Sequence, residues 1–82
     1  MKTVYIISAV RTPIGKFGGA LVSIKANELG AIAAREAIKR SGLQPAQIDE
    51  TIFGCARQAG IGPNVARQIA YRSAVPSTSP AY

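Results

Sequence analysis

Residues 3–10, Thr-Val-Tyr-Ile-Ile-Ser-Ala-Val, run almost without interruption through β-branched and apolar side chains. A half-exposed strand alternates apolar and polar residues, whereas a strand covered on both faces by helices reads as a continuous apolar run. The run is too short for a bilayer span. It follows a single Lys, lacks a small-residue cleavage site and leads into Arg11, so it is not expected to be a secretory signal. A strand of this kind needs helices from elsewhere in the chain to cover it.

Downstream residues supply them. Thr12-Pro13 and glycines 15, 18 and 19 break regular structure as far as about Lys25. Residues 26–41 then read as a helix with Asn27 as N-cap, Glu28 in the first turn and Gly42 as the stop. Its expected buried stripe is Leu29, Ile32, Ala33, Ala37 and Ile38, with Glu36 and Arg40 paired at i,i+4 on the other side. Residues 43–48 form a turn, and Thr51-Ile-Phe-Gly-Cys55, within a span of about 50–56, reads as a second strand. Asn64 is placed to cap a second helix over residues 65–74, burying Val65, Ala66, Ile69, Ala70 and Ala74, with Pro76 ending it. Residues 77–80 are extended and lead towards a third strand. Strand, helix, strand, helix is the order of an α/β architecture, and the two strands at 3–10 and 50–56 are expected to be parallel.

Charge and cysteine content bound the function classes. The net charge is +6, with ten basic residues spread over all 82 positions. Only Lys39 and Arg40 are adjacent, at a helix C-terminus where cations are favoured, and no aromatics interleave with the basic residues. Solvated helix faces explain this distribution better than a nucleic-acid footprint. One cysteine excludes an intramolecular disulfide and fits a reducing compartment, so a cytoplasmic location is expected.

The chain contains no histidine, so neither a Cys-His nor a Ser-His pair can form, and one Cys alone makes no transition-metal site. Asp49 and Glu50 are strand neighbours whose side chains point to opposite faces, so they make no carboxylate dyad. Cys55 lies close to Arg57 in sequence, but without a base it reads as a small buried apolar residue. Arg11-Thr-Pro-Ile-Gly-Lys-Phe-Gly-Gly19 fails the P-loop pattern, because Phe17 stands where Ser or Thr should follow Gly-Lys. Its glycines read as structural, needing positive φ or close backbone approach. No catalytic, substrate-binding or metal-ligating residue is assigned within these 82 positions.

Three stretches together carry a resemblance. Ser8-Ala-Val-Arg-Thr-Pro-Ile-Gly-Lys-Phe-Gly-Gly19, Asn27-Glu-Leu-Gly-Ala31 and the segment from Gly54 to Gln68 occur in the order and spacing of the N-terminal part of thiolases. This resemblance implies a five-layered α-β-α-β-α fold of two similar halves, of which residues 1–82 would be the first, incomplete βαβα portion. It implies an acyltransferase that condenses or cleaves acyl-CoA thioesters through a cysteine acyl-enzyme, with no cofactor besides its coenzyme A substrates, and a homo-oligomer, dimer or tetramer. The nucleophilic cysteine of such a protein would come shortly after Tyr82, in a Thr-Val-Asn-x-x-Cys-like stretch, so these 82 residues alone would be inactive.

Asn64, Arg67 and Gln68 are the candidate site residues. They are expected to organise the approach to that reactive segment and to lie near a subunit contact. A cation in the first turn of a helix is disfavoured by the dipole, so Arg67 is expected to have a carboxylate partner from elsewhere in the full-length protein. Two other readings accompany this one: a standalone interaction module using an open sheet edge, and a small basic nucleic-acid binder, which would show steep salt dependence of affinity.

Overall fold

The computed structural model describes residues 2–21, 23–56 and 60–82. Two helices pack against each other: α1, Ala26–Ser41, and α2, Val65–Arg72, with a short 3₁₀ turn at Pro45–Gln47 between them. No helix among the described residues is long and apolar enough to cross a membrane.

The first helix has the expected span but not the expected cap. Lys25 occupies the N-cap in extended conformation without a side-chain hydrogen bond, and Asn27 sits inside the first turn, buried. The buried side is turned accordingly: Asn27 and Ala31 are buried and Ala34 and Ile38 pack onto the core, while Ile32 is exposed. Gly42 ends the helix at φ 77°, its N–H bonded to the Lys39 carbonyl. Glu36 and Arg40 do pair, at 3.0 Å, but on an exposed face where such a pair is worth about 0.3–0.5 kcal/mol. In the 3₁₀ turn, Gln44 and Gln47 bond each other's backbone reciprocally, closing the turn that returns the chain to residues 50–53.

Asn64 caps α2 as expected, but the helix stops before Pro76. Its end is a Schellman arrangement: the Val75 N–H reaches the Ala70 carbonyl at 3.0 Å and the Ala74 N–H reaches that of Tyr71 at 3.2 Å. Ala74 supplies the left-handed residue at φ 61°, so it leaves the helix and is exposed, contrary to its expected burial. Ala74→Gly is therefore expected to stabilise the protein by about 1 kcal/mol, read as a higher midpoint in thermal melts. A neutral or negative effect would contradict the cap geometry.

The hydrogen-bonded β pairing joins residues 51–53 to residues 80–82, in parallel. Pro80 O accepts from the Thr51 N–H at 2.9 Å, Thr51 O from Tyr82 N–H at 2.9 Å, and Tyr82 O from Phe53 N–H at 3.1 Å. The pairing is an isolated bridge between Thr51 and Ala81, so among the described residues neither the tail nor the expected second strand at 50–56 extends into a regular strand. Residues 3–10 take part in no ladder among the described residues. Val4 and Ile6 are 90% and 89% exposed, and Ile14 and Phe17 in the following loop are also exposed. With no ladder partner among the described residues, this segment carries its apolar surface outward. In that loop the Gly19 N–H bonds to the Lys16 carbonyl, and Gly18 takes φ 69°.

The core has two connected parts. Ala66, Ala70, Val75 and Ala81 pack with Ile38 and Ile48, while Ile61, Val65 and Ile69 pack with Ala34 and Cys55; Phe53 touches both. The helices approach closely at Gly30. A Cβ there would stand 2.4 Å from Ile69 Cδ1 and 3.0 Å from Cγ1. A side chain at this point would force Ile69 to shift or the helices to separate.

Candidate functional site

The polar chemistry of the chain concentrates at the N-terminal turn of α2, where Asn64, Arg67 and Gln68 lie on one turn of backbone. Asn64 adopts a left-handed conformation at φ 45°, which asparagine tolerates better than most residues. Its side chain works in two directions. Oδ1 accepts the Arg67 N–H at 3.0 Å, closing the cap, and Nδ2 donates to the Ala81 carbonyl at 3.1 Å.

Arg67 reaches the same tail. Its Nη2 donates to the Ser79 carbonyl at 2.7 Å. Within this chain the partner is thus a backbone carbonyl, whereas the carboxylate expected for Arg67 would come from elsewhere in the full-length protein. Residues 76–80 contain no acid, and a short charge-assisted bond to a peptide oxygen satisfies the guanidinium at the unfavourable end of the helix. Ser79 is in turn held by a tight turn, its N–H and Oγ both donating to the Pro76 carbonyl at 3.1 and 2.9 Å.

Gln68 faces the other way. Its Nε2 donates to the carbonyls of Ile61 at 2.6 Å and Pro63 at 3.0 Å, and its Oε1 accepts from Asn27 Nδ2 at 2.6 Å. The amide ties the loop before α2 to the first turn of α1. A Cβ on Gly62, which has φ 79°, would come within 3.3 Å of Gln68 Nε2.

The three sequence-selected residues therefore form one hydrogen-bonded hub, with two of them gripping residues 79–81 and the third fixing the glycine loop. Neither Arg67 nor Gln68 is a freely solvated side chain: both are partly buried. Sequence reading missed Asn27 as the fourth member. Its signal was present in form, an asparagine at the start of a helix, but that pattern fits a cap equally well and the distinction turns on one residue of register. At the far end of the tail, the Tyr82 hydroxyl donates to the Glu50 carboxylate, and this bond, with lesser contributions from burial and the negative charge, raises the phenol above its ordinary value.

Cys55 is half-buried and packs on the Ile61, Val65 and Ile69 cluster, in keeping with its reading as a small core residue. Arg57, its sequence neighbour, lies outside the described residues.

Replacing Asn64 separates its duties. Asn64→Ala removes the cap, the donor to Ala81 and the residue type that tolerates the left-handed backbone, and is expected to cost about 2 kcal/mol. Asn64→Gly keeps the backbone freedom and should cost less. Denaturant unfolding of the intact protein checks the order; equal losses for the two variants would refute the strain component.

The comparisons with known proteins agree with this architecture. Residues 4–82 match the family model described as Thiolase, N-terminal domain. A Clostridioides difficile protein named acetyl-CoA acetyltransferase is 51% identical over 81 residues, covering 99% of this chain and 76% of that protein. A protein of the same name from Syntrophomonas wolfei is 48% identical over 99% of this chain, but the match covers 20% of that protein. Among solved structures, a thiolase from Ascaris suum in complex with coenzyme A superposes with a TM-score of 0.95 at 50% identity, over 98% of this chain and 21% of that one. The chain thus spans about a fifth of the length of relatives such as the Syntrophomonas protein.

Proposed function

The chain belongs to the thiolase family, and on that premise we propose that it is the N-terminal portion of an acetyl-CoA C-acyltransferase, which condenses or cleaves acyl-CoA thioesters through a cysteine acyl-enzyme. The observation that carries this reading is the grip of Asn64 and Arg67 on the carbonyls of Ala81 and Ser79, together with the parallel pairing of 80–82 to 51–53. A nucleophile held shortly beyond Tyr82 would inherit its position from this anchored strand. Rigid anchoring matters because small misplacements of reacting groups cost large factors in rate.

In this reading the first βαβα of a five-layered fold is completed by strands and helices that lie elsewhere in the protein, which would cover residues 3–10. The cysteine thiolate, its ionisation favoured by a helix N-terminus and a histidine, attacks the thioester carbonyl. The tetrahedral species, stabilised in an oxyanion hole, collapses with cleavage of the bond to the coenzyme A sulfur, which leaves and takes up a proton. The substrates are coenzyme A thioesters, consistent with the coenzyme A bound in the Ascaris relative, and no further cofactor is needed. We assign the enzyme to the cytoplasm and to a homo-oligomeric state. Asn64, Arg67 and Gln68 lie near a subunit contact in that assembly. The standalone-module and nucleic-acid readings have no comparable support.

Two assays test the proposal. The 82-residue chain, which has no histidine, is expected to retain no radiolabel from acetyl-CoA after denaturation. The full-length protein is expected to exchange coenzyme A with acetyl-CoA and to cleave acetoacetyl-CoA. Absence of both activities in the full-length protein would remove the acyltransferase assignment.

A further inference from the structure

Asn27 is the least expected buried residue of the chain. It occupies the first turn of α1, is 4% exposed and donates to Gln68 Oε1, yet its own Oδ1 is buried with no hydrogen-bond partner among the described residues. A half-satisfied buried amide is unfavourable in itself, so the worth of Asn27 lies in the one bond it makes. Its one bond does have a definite consequence. With Gln68 Oε1 held by the Asn27 donor, Nε2 is turned towards the carbonyls of Ile61 and Pro63 and donates to both. Those carbonyls belong to the loop that delivers Asn64, and Asn64 grips Ala81.

We infer that Asn27 is a positioning residue: by fixing the Gln68 amide it sets the loop 61–63 and, through Asn64, the register of residues 79–82 against 51–53. Asn27 touches no part of that strand directly. Its effect on turnover rests on the acyl-transfer reading above, whereas its effect on the strand does not.

The test uses the full-length protein with Asn27→Ala and with Asn27→His, in which a ring N–H can replace the amide donor. Backbone hydrogen exchange is followed at the Tyr82 amide, which bonds to the Thr51 carbonyl, and at amides inside α1 as an internal reference. Asn27→Ala is expected to speed exchange at Tyr82 about tenfold relative to α1, and to lower kcat about tenfold with KM for acetyl-CoA within about twofold, the scale of losing one buried hydrogen bond. Asn27→His is expected to restore both to within about threefold. Acceleration of all amides together would mean that Asn27 merely stabilises the fold and would overturn the inference, as would unchanged exchange at Tyr82. If Asn27→Ala does not fold, Gln68→Glu keeps an acceptor for Asn27 but cannot donate to Ile61 and Pro63, and the same Tyr82 signature is required of it. A wild-type protein that lacks acyl transfer but shows the exchange response would reject the acyltransferase reading and retain the positioning role.

Discussion

Gly30→Leu is expected to destabilise the intact protein by about 3 kcal/mol or more, and Gly30→Ala by about 1 kcal/mol despite the better helix propensity of alanine. The propensity gain is about 1 kcal/mol. Against it stands the 2.4 Å approach to Ile69 Cδ1, in a side chain that is 1% exposed and hemmed in by Ile61 and Val65. Overpacking of this kind costs about 1–3 kcal/mol because neighbours must leave their rotamers or the helices must separate. The atom in conflict is the one that Ile69→Val deletes. Alone, that substitution should cost about 1 kcal/mol, but combined with Gly30→Ala it should relieve the clash, so the two changes are expected to be strongly non-additive. Denaturant unfolding of the single and double variants measures this; additive losses would mean that the helices do not meet at Gly30 as described.

Arg67→Ala should have its larger effect on function. The guanidinium bond to the Ser79 carbonyl, at 2.7 Å, is charge-assisted and partly buried. Such bonds contribute about 1.5–3 kcal/mol. If the loss falls on the geometry of the reactive segment, turnover of the full-length enzyme should drop about ten- to a hundredfold. Arg67→Lys should recover only part, because an ammonium lacks the planar fork that reaches the carbonyl. Sedimentation of the same variants reports on the proposed subunit contact. Unchanged turnover together with unchanged oligomeric state would remove Arg67 from the site.

The parts of this molecule governed by local chemistry were legible in the sequence. Gly42 ends α1 because a left-handed residue is needed there, and Asn64 caps α2 because its oxygen reaches a first-turn N–H. The buried set Val65, Ala66, Ile69 and Ala70 came from helical spacing. Where sequence reading went astray, a partner distant in the chain decided the outcome. Asn27 is recruited by Gln68, 41 residues away, instead of capping its own helix. Ile32 faces out because Gly30 and Ala31 turn the contact face of α1 towards Ile69 and its neighbours. Ala74 takes a left-handed conformation that alanine disfavours, so α2 ends two residues early with no glycine to announce it. Arg67 reaches the Ser79 carbonyl because the tail folds back onto α2, a contact invisible to any local rule. Residues 3–10 show the converse: a run that is apolar enough for a central strand has no ladder partner among the described residues, since strand pairing depends on neighbours and not on the run itself.

Residues 79–82, in the proposed reading, are anchored in order to place a nucleophile beyond them. Acylating the full-length protein with radiolabelled acetyl-CoA, digesting it and locating the label tests this most directly. The expected result is a single labelled peptide carrying a cysteine C-terminal to Tyr82, with Cys55 unlabelled. Label on Cys55 would contradict that role, because it would make a small core residue the nucleophile and leave the anchored strand without a catalytic purpose.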